Sequence, residues 1–178
     1  MQTAVELAEK GGFEAVRLRD VASCAGVALG TLYRHFRSKE DLLVAALADQ
    51  VEQLESHMAA HPAKGSTALE RVTAFFRIAT NGLCRQPMLT QAVLRASASC
   101  QPELTEKVAQ FHGRMMVMIG NALRGANGDG ARSTIDEESV GVVLEQVWFA
   151  SLVGWGGGQH DQNAVIDRVR RAASLIMA

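Results

Sequence analysis

Hydrophobic side chains recur every three to four residues along most of the chain, a period typical of α-helices that bury one face. The clearest stripe of leucines and valines follows Ser38. Because Ser38 and Asp41 have the spacing of a capping box, a helix is predicted from Ser38 to about Ala59. In chain order the predicted helices are 3–10, 18–25, 28–36, 38–59, a fifth after the linker 60–66, 88–97, 102–123, 136–154 and 164–177.

Glycine and proline mark the ends of these helices. Gly11 and Gly12 follow the first helix and Gly26 separates the second from the third, which are positions where glycine adopts the left-handed conformation. Pro87 suits the first turn of the sixth helix, where its missing N–H is not needed. Residues 125–134, with the sequence GANGDGARST, predict a flexible loop.

The composition supports an all-α fold. Alanine occurs 27 times, proline only three times, and aromatic residues make up 5% of the 178 residues, a balance that favours helix over strand. Hydrophobic residues amount to 48%, enough for a substantial core. We therefore predict an all-α protein in which a three-helix head is followed by a larger helical body.

Several classes of protein are not expected. The longest uninterrupted apolar stretches, such as Met115 to Ile119, are far shorter than a membrane-spanning segment, and residues 1–10 lack the apolar core of a secretory signal. The chain is therefore expected in the cytoplasm. The three cysteines form no C-x-x-C pair, and no serine lies in a nucleophile-elbow context. Neither a metal, a cofactor nor a catalytic site is predicted, and enzyme activity is not expected.

Charge is unevenly distributed along the chain. The net charge is −1, but the segment from Arg17 to Lys39 carries five cations against the single anion Asp20, a local balance of +4. A small basic surface on a neutral or slightly acidic body suits a nucleic-acid partner.

The predicted helices 18–25 and 28–36 lie within this basic segment and are joined at Gly26, as in a helix-turn-helix. Leu29, Leu32 and Phe36 have the spacing of a buried face, which turns the intervening side chains outward. The outward residues are Gly30, Thr31, Tyr33 and Arg34. Arginine and hydroxyl side chains of this kind bind phosphates and guanine edges. On spacing alone, an ordinary helical hairpin with a solvated basic face remains open.

The run LRDVASCAGVALGTLYRHFRSKEDLL, Leu18 to Leu43, resembles the signature of the TetR family of one-component transcriptional regulators. The resemblance implies a helix-turn-helix DNA-binding domain over 1–46 and an effector-binding and dimerisation domain over 47–178. It implies phosphate contacts for Thr31, Tyr33, His35 and Lys39, and base contacts for Gly30 and Arg34. The full predicted DNA-binding set is Arg19, Leu29, Gly30, Thr31, Tyr33, Arg34, His35 and Lys39.

Three positions depart from this resemblance. Arg17 and Ala28 stand where the family often has serine or threonine caps, so the second and third helices are expected to lack a cap usually worth about 1 kcal/mol. Met1 falls inside the first helix, whereas family members usually have several more residues ahead of it.

Two runs in the body, RQPMLTQAVLRA and QVWFASLVGW, are similar to the family's repressors of sterol and cholesterol catabolism. That resemblance implies a coenzyme A thioester of a sterol degradation intermediate as effector, or a fatty acyl-CoA in related regulators. Large, soft side chains at helical spacing would suit an apolar ligand, although such a set is more often simply core. The predicted lining residues are Phe75, Phe76, Met88, Leu89, Phe111, Met115, Met118 and Trp148, and Arg77, Arg85 and Arg95 are candidates for the coenzyme A phosphates.

A homodimer is predicted because two helix-turn-helix units related by a twofold axis read a palindromic operator with useful specificity. The two C-terminal helices are expected to pair with their copies in a four-helix bundle. The predicted interface is Val140, Val147, Leu152, Val165 and Val169. The sequence thus predicts a repressor that an apolar effector releases from DNA. A regulator of efflux that responds to hydrophobic drugs, and a helical acyl carrier or enzyme without DNA binding, remain alternatives.

Overall fold

The computed structural model describes residues 1–125 and 136–178, and this part of the chain forms α-helices and one 3₁₀ turn, without strands. The predicted all-α class is confirmed. The predicted loop 125–134 lies, apart from Gly125, outside the described residues. The helices are α1 (Gln2–Ala15), α2 (Leu18–Ala25), α3 (Leu29–His35), α4 (Lys39–Ala60), α5 (Ala68–Cys84), α6 (Pro87–Ser97), α7 (Thr105–Arg124), α8 (Glu137–Gly156) and α9 (Gln162–Ile176).

Most predicted helix ends are confirmed within one or two residues. Gly26 ends α2 in the left-handed conformation, with φ +66°. The Ser38 hydroxyl accepts a hydrogen bond from the backbone N–H of Asp41 at 3.1 Å, which is half of the predicted capping box. The Asp41 carboxylate accepts from the N–H of Arg37, one residue before Ser38, at 3.0 Å, rather than from the N–H of Ser38 itself as in a complete capping box. Pro87 occupies the first turn of α6.

The first helix is longer than predicted. Gly11 and Gly12 have non-helical backbone angles, but α1 resumes after this kink and continues to Ala15. Gly12 has φ +63° and is buried, and a Cβ at this position would lie 3.2 Å from Cε of Met88. The positive φ favours glycine at this position. Helix α1 packs against α6.

The seventh helix also begins differently. Pro102 opens a 3₁₀ turn, Pro102–Leu104, and α7 itself begins at Thr105. The N–H of Leu104 donates to the carbonyl of Gln101 at 3.0 Å, the tighter pattern that is common at a helix start.

The chain forms two compact units, and the first contains residues 1–50 and 85–111. Its main helix pair is α1 and α6, with Ala4 and Ala8 fully buried on α1. The carboxylate of Glu9 accepts a hydrogen bond from the backbone N–H of Leu89 near the start of α6, at 3.2 Å. The helix-turn-helix segment and α6 thus belong to the same compact unit. The sequence prediction had instead assigned all residues after 46, including α6, to the effector-binding body.

The second unit contains residues 51–84 and the described part of 112–178. In it α9 packs against both α5 and α8. Trp148 of α8 is buried, its ring centroid lies 5.6 Å from that of Phe76, and its indole N–H donates to the hydroxyl of Thr80 at 2.9 Å. The donor of this large aromatic side chain is thereby satisfied inside the core.

Helix α8 is apolar on most of its surface. Its 20 residues include a window of mean hydropathy 1.2, long and apolar enough to cross a membrane by length and composition alone. The core helix of a globular protein can meet the same criteria, and α8 buries Leu144, Trp148 and Leu152 within its unit. The sequence predicted this helix, but a search for uninterrupted apolar runs did not show that it is apolar enough to meet these criteria, because polar residues interrupt its apolar stretches.

Candidate nucleic-acid interface

The third helix presents the side chains that the spacing predicted. Leu32 is buried and Leu29 is half-buried, which fixes one face of α3 against its unit. Thr31 and Arg34 are exposed, and 52% of Tyr33 is accessible. Gly30 and His35 are exposed as well, as is Arg19 on α2. The surface of α3 therefore offers hydroxyl and guanidinium groups, and the assignment of these residues to DNA contacts stays a prediction.

Both helices of the motif begin without a side-chain cap among the described residues. Arg17 and Ala28 occupy the cap positions of α2 and α3, and neither side chain makes a capping hydrogen bond there. The expected loss of two caps is confirmed. The first N–H groups of each helix are left for solvent or for a ligand such as a phosphate.

A shallow groove of about 390 Å³ lies beside this motif, within the first unit. Its walls combine three cations with one carboxylate and one phenol. The groove is lined by Glu14, Val16, Arg17, Leu18, Arg19, Leu29, Tyr33 and Lys39. Cations at an open groove attract an anionic partner, as the local charge balance predicted.

Lys39, predicted to bind phosphate, is held by residues outside the motif. Its Nζ lies 3.3 Å from Oε2 of Glu14 and 3.9 Å from the centroid of the Phe13 ring. Arg95 of α6 binds the same two side chains, with Nη1 2.9 Å from Oε1 of Glu14 and Cζ 4.2 Å from the ring centroid. The hydrogen bond and charge of Lys39, followed by those of Arg95, hold the pKa of Glu14 below its ordinary value. We call Phe13, Glu14, Lys39 and Arg95 the Glu14 cluster.

The sequence prediction missed three of these four residues. Phe13 and Glu14 follow the kink of α1, and Arg95 lies 56 positions after Lys39, so no local spacing could connect them. Arg95 was a candidate for binding coenzyme A phosphates; in the structure it pairs with Glu14, and its role in effector binding stays a prediction.

The beginning of α4 is tied to the segment that follows α6. The Ser38 hydroxyl donates to Oε1 of Gln101 at 3.4 Å, and Lys107 forms an ion pair with Asp41 in the first turn of α4. Lys107 also lies 6.0 Å from the ring of Phe36. The loop between α3 and α4 is therefore fixed by side chains distant in sequence.

The predicted effector-lining residues fall into both units. Phe75, Phe76 and Trp148 form a buried aromatic group in the second unit, where Met115 and Met118 are also buried. Leu89 and Phe111 are buried in the first unit, and Met88 is exposed. The structure thus brings together five of the eight residues in one unit, and their role in ligand binding stays a prediction.

A hydrogen bond between a buried carboxylate and a half-buried histidine in the second unit was also missed. Glu145 of α8 is only 2% exposed, and its Oε1 lies 2.8 Å from Nδ1 of His112. The amide of Gln146 donates to the other oxygen at 3.0 Å. The hydrogen bond to Glu145 raises the pKa of His112 against the opposing effect of burial. Among the described residues no three His, Cys, Asp or Glu side chains form a metal-binding group.

Four of the five interface residues predicted from the sequence need correction, and the fifth, Val147, stays a prediction. Val140, Leu152, Val165 and Val169 are buried within the second unit itself, and Val147 is half-buried. Side chains that fill a chain's own core cannot also pack against a second copy. On α8, which is apolar on several sides, periodicity alone does not select the outward face. The exposed valines of α8 are Val142, Val143 and Val153.

Comparison with known protein families agrees with a helix-turn-helix head followed by a helical body. Residues 1–46 match the family of bacterial regulatory proteins called tetR, and residues 65–176 match the tetracyclin repressor-like C-terminal domain. The chain belongs to the TetR family. Residues 1–46 are accordingly a helix-turn-helix DNA-binding domain, so the resemblance seen in the sequence is confirmed and the open alternative of an ordinary basic hairpin is excluded.

The similarity to individual relatives extends over nearly the whole chain. The HTH-type transcriptional repressor KstR of Rhodococcus jostii is 33% identical over 99% of this TetR-family chain and 80% of its own length, and KstR of Mycobacterium tuberculosis is 30% identical over 99% and 78%. A TetR transcriptional regulator from Rhodococcus sp. RHA1 has a TM-score of 0.85 at 25% identity, covering 99% of this chain and 92% of that one.

A more distant structure is similar in fold. Thermus thermophilus FadR, a TetR-family repressor solved in complex with lauroyl-CoA, has a TM-score of 0.71 at 20% identity, covering 98% of this chain and 90% of that one. These relatives are transcriptional regulators and not enzymes.

Proposed function

We propose that this TetR-family chain is a cytoplasmic repressor that binds a palindromic operator as a homodimer and leaves it when an apolar effector binds the body. The observation that carries the proposal is the exposed face of α3, which presents Thr31, Tyr33 and Arg34 within a matched DNA-binding domain. Arg34 is the candidate for reading a base edge, because a guanidinium binds guanine through two donors. Tyr33 and Lys39 would hold phosphates.

A sterol-derived acyl-CoA is the effector that the proposal favours, with fatty acyl-CoAs next. Two observations support this class: the resemblance of RQPMLTQAVLRA and QVWFASLVGW to sterol-catabolism repressors, and the similarity of nearly the whole chain to the repressors named KstR. The buried group Phe75, Phe76 and Trp148 provides apolar surface of the kind such a ligand requires. To release the operator, the effector must prefer the DNA-incompetent state by about 1–3 kcal/mol, or roughly 5- to 150-fold in operator affinity.

The proposed homodimer would use the exposed face of α8 in place of the residues predicted first. Val142, Val143 and Val153 are each close to half exposed, and Leu175 of α9 is 80% exposed. All four belong to the second unit. Exposed valines and leucines on neighbouring helices would be covered when the helices pair with their copies.

Operator binding is tested by selecting duplexes from a random library with the full chain. The expected result is a palindrome whose half-sites lie about 34–36 Å apart, or a multiple of that distance. The selected complex is then titrated with a sterol-derived acyl-CoA, the free sterol, long-chain acyl-CoAs and cationic efflux substrates. Release by thioesters supports the proposal. Release by cationic drugs alone would reject the effector class and leave the DNA-binding assignment in place.

The dimer is tested by sedimentation of the wild-type chain and two variants at micromolar concentration. Val143→Glu would place a charge in the proposed apolar interface, so the expected result is a shift from dimer to monomer. Val117→Glu adds the same charge to an exposed position of α7 and serves as the matched control, expected to remain dimeric. A monomeric wild-type chain would contradict the proposed dimer.

A further inference from the structure

The Glu14 cluster connects a predicted phosphate-binding lysine to a residue outside the helix-turn-helix. One carboxylate is shared by two cations: Oε2 of Glu14 faces Lys39 at 3.3 Å, and Oε1 faces Arg95 at 2.9 Å. The Phe13 ring lies close to both cations, with Nζ of Lys39 at 3.9 Å and Cζ of Arg95 at 4.2 Å from its centroid. The four residues all belong to the first unit.

The ammonium of Lys39 remains accessible in this arrangement. Its side chain is 27% exposed, that of Glu14 is 69% exposed, and both line the open groove beside α3. An ammonium has three N–H donors, so Lys39 can bind Glu14 and still donate to an incoming phosphate. A carboxylate at this place repels the same phosphate, however, and competes with it for Lys39.

We propose that Arg95 is a positioning residue for DNA binding: by binding one oxygen of the shared Glu14 carboxylate, it leaves Lys39 free to bind a DNA phosphate. The inference rests on the proposed phosphate contact of Lys39. With Arg95 present the cluster has a net charge of +1, since two cations face one carboxylate. Without Arg95, Glu14 neutralises Lys39 and the cluster no longer attracts DNA.

The packing of α1 and α6 makes this arrangement possible. Phe13 and Glu14 directly follow the kink at Gly12, a buried glycine whose Cα faces Met88 of α6. The last turn of α1 is therefore held next to the helix that carries Arg95. A change in the position of α6 would alter how Glu14 is divided between its two cations.

The test is a double-mutant cycle on the full chain, with a fluorescent mixed-sequence duplex of about 30 base pairs as the probe. Its phosphates suffice, because phosphate contacts dominate non-specific binding and set its salt dependence. Affinity is measured by anisotropy from about 50 to 200 mM KCl for the wild type, Arg95→Gln, Glu14→Gln and the double variant. Arg95→Lys retains the charge, and Lys64→Gln removes an exposed cation in the linker after α4.

Arg95→Gln is expected to lower the affinity about tenfold at low salt and to reduce the slope of log K against log salt by about 0.9, the value for one phosphate contact. Glu14→Gln is expected to raise the affinity. In the Glu14→Gln background, Arg95→Gln should change the affinity less than about twofold, because no carboxylate is left to neutralise Lys39. Arg95→Lys should restore most of the binding, and Lys64→Gln should change it less than about twofold.

An equal loss on Arg95→Gln in the wild-type and Glu14→Gln backgrounds would overturn the inference, since Arg95 would then act independently of the carboxylate. So would an unchanged affinity and salt slope in Arg95→Gln. A purely structural role would lower the thermal unfolding midpoint without changing the slope, so both are measured. If the wild-type chain shows no salt-dependent binding to the duplex, the proposed function itself fails.

Discussion

Helices α3 and α8 expose surfaces of opposite character. Helix α3 has seven residues, and Leu32 is the one of these seven that is buried. The helix turns hydroxyl and guanidinium groups outward. Helix α8 has 20 residues, buries Leu144, Trp148 and Leu152, and turns valines outward. A polar, cationic face suits nucleic acid, whereas an apolar face suits another protein surface. The exposed face of each helix, rather than its buried face, indicates its partner.

The two helices also differ in how they are stabilised. The Asp136 carboxylate caps α8 by accepting from the N–H of Ser139 at 3.3 Å, and Asp161 caps α9 by accepting from that of Ala164 at 2.9 Å. The cap positions of α2 and α3, Arg17 and Ala28, provide no such bond among the described residues. Substitutions at the buried positions of α8 should change mainly stability, and substitutions at the exposed positions of α3 should change mainly DNA binding.

The largest expected effect is that of Trp148→Ala. This substitution removes a side chain that is only 1% exposed and whose N–H donates to Thr80, so the free energy of unfolding should fall by about 3–5 kcal/mol. Urea denaturation followed by circular dichroism measures the change. Thr80→Val, which removes only the acceptor of the Trp148 N–H, is the control, and its free energy of unfolding should fall by about 1–3 kcal/mol. An unchanged midpoint in Trp148→Ala would contradict the packing described for the second unit.

Arg34→Ala should weaken DNA binding and leave the free energy of unfolding nearly unchanged. If Arg34 contacts a base, the binding free energy should weaken by about 1–3 kcal/mol on the selected operator and by much less on scrambled DNA. Tyr33→Phe, which loses one hydroxyl, should weaken both duplexes alike. Gel-shift titrations compare the two DNAs. Unaltered affinity of both variants for every duplex would reject the assignment of α3 as the recognition helix.

Ala28→Ser tests whether the missing cap weakens α3. A serine hydroxyl can accept from an N–H of the first turn, so the free energy of unfolding should rise by about 1 kcal/mol. Ala25→Ser, near the end of α2, adds the same hydroxyl where no cap is needed and is the matched control. Thermal unfolding measures both. An equal gain in both variants would show that capping is not the cause, and no gain in Ala28→Ser would contradict the prediction.

The smallest effect concerns His112, which is partly exposed. The hydrogen bond to Glu145 raises the pKa of His112 above 6.5, its value in the unfolded chain. The protonated side chain therefore stabilises the fold fully at a pH below 6.5, and this stabilisation is lost as the pH rises through the folded-state pKa. The unfolding free energy of the wild type, measured relative to Glu145→Gln, should therefore decrease from pH 6.5 upward. Glu138→Gln, an exposed carboxylate on the same helix, should leave the slope unchanged. Parallel pH profiles of wild type and Glu145→Gln would contradict the pairing.

Local patterns predicted the helices and their ends well. The left-handed Gly26, the cap at Ser38 and Pro87 in the first turn of α6 are all encoded by residues within a few positions of one another. The outward face of α3 also followed from spacing, because its few apolar residues lie on one side.

Contacts between distant segments could not be predicted in this way. The pairing of Glu14 with Lys39 and Arg95 depends on how α1, α4 and α6 pack. The exposed face of α8 was misassigned because periodicity cannot select a face when apolar residues surround the helix. The buried Glu145 side chain was overlooked because its partner His112 is 33 residues away.

The uncapped beginnings of α2 and α3 have a practical consequence for mapping the complex. Amide hydrogens that lack an acceptor within the helix exchange rapidly with deuterium from solvent, and a bound phosphate slows this exchange. The first turns after Arg17 and Ala28 therefore act as natural reporters. Mass spectrometry of deuterated peptides from these turns would record where DNA contacts the protein, even before the operator sequence is known.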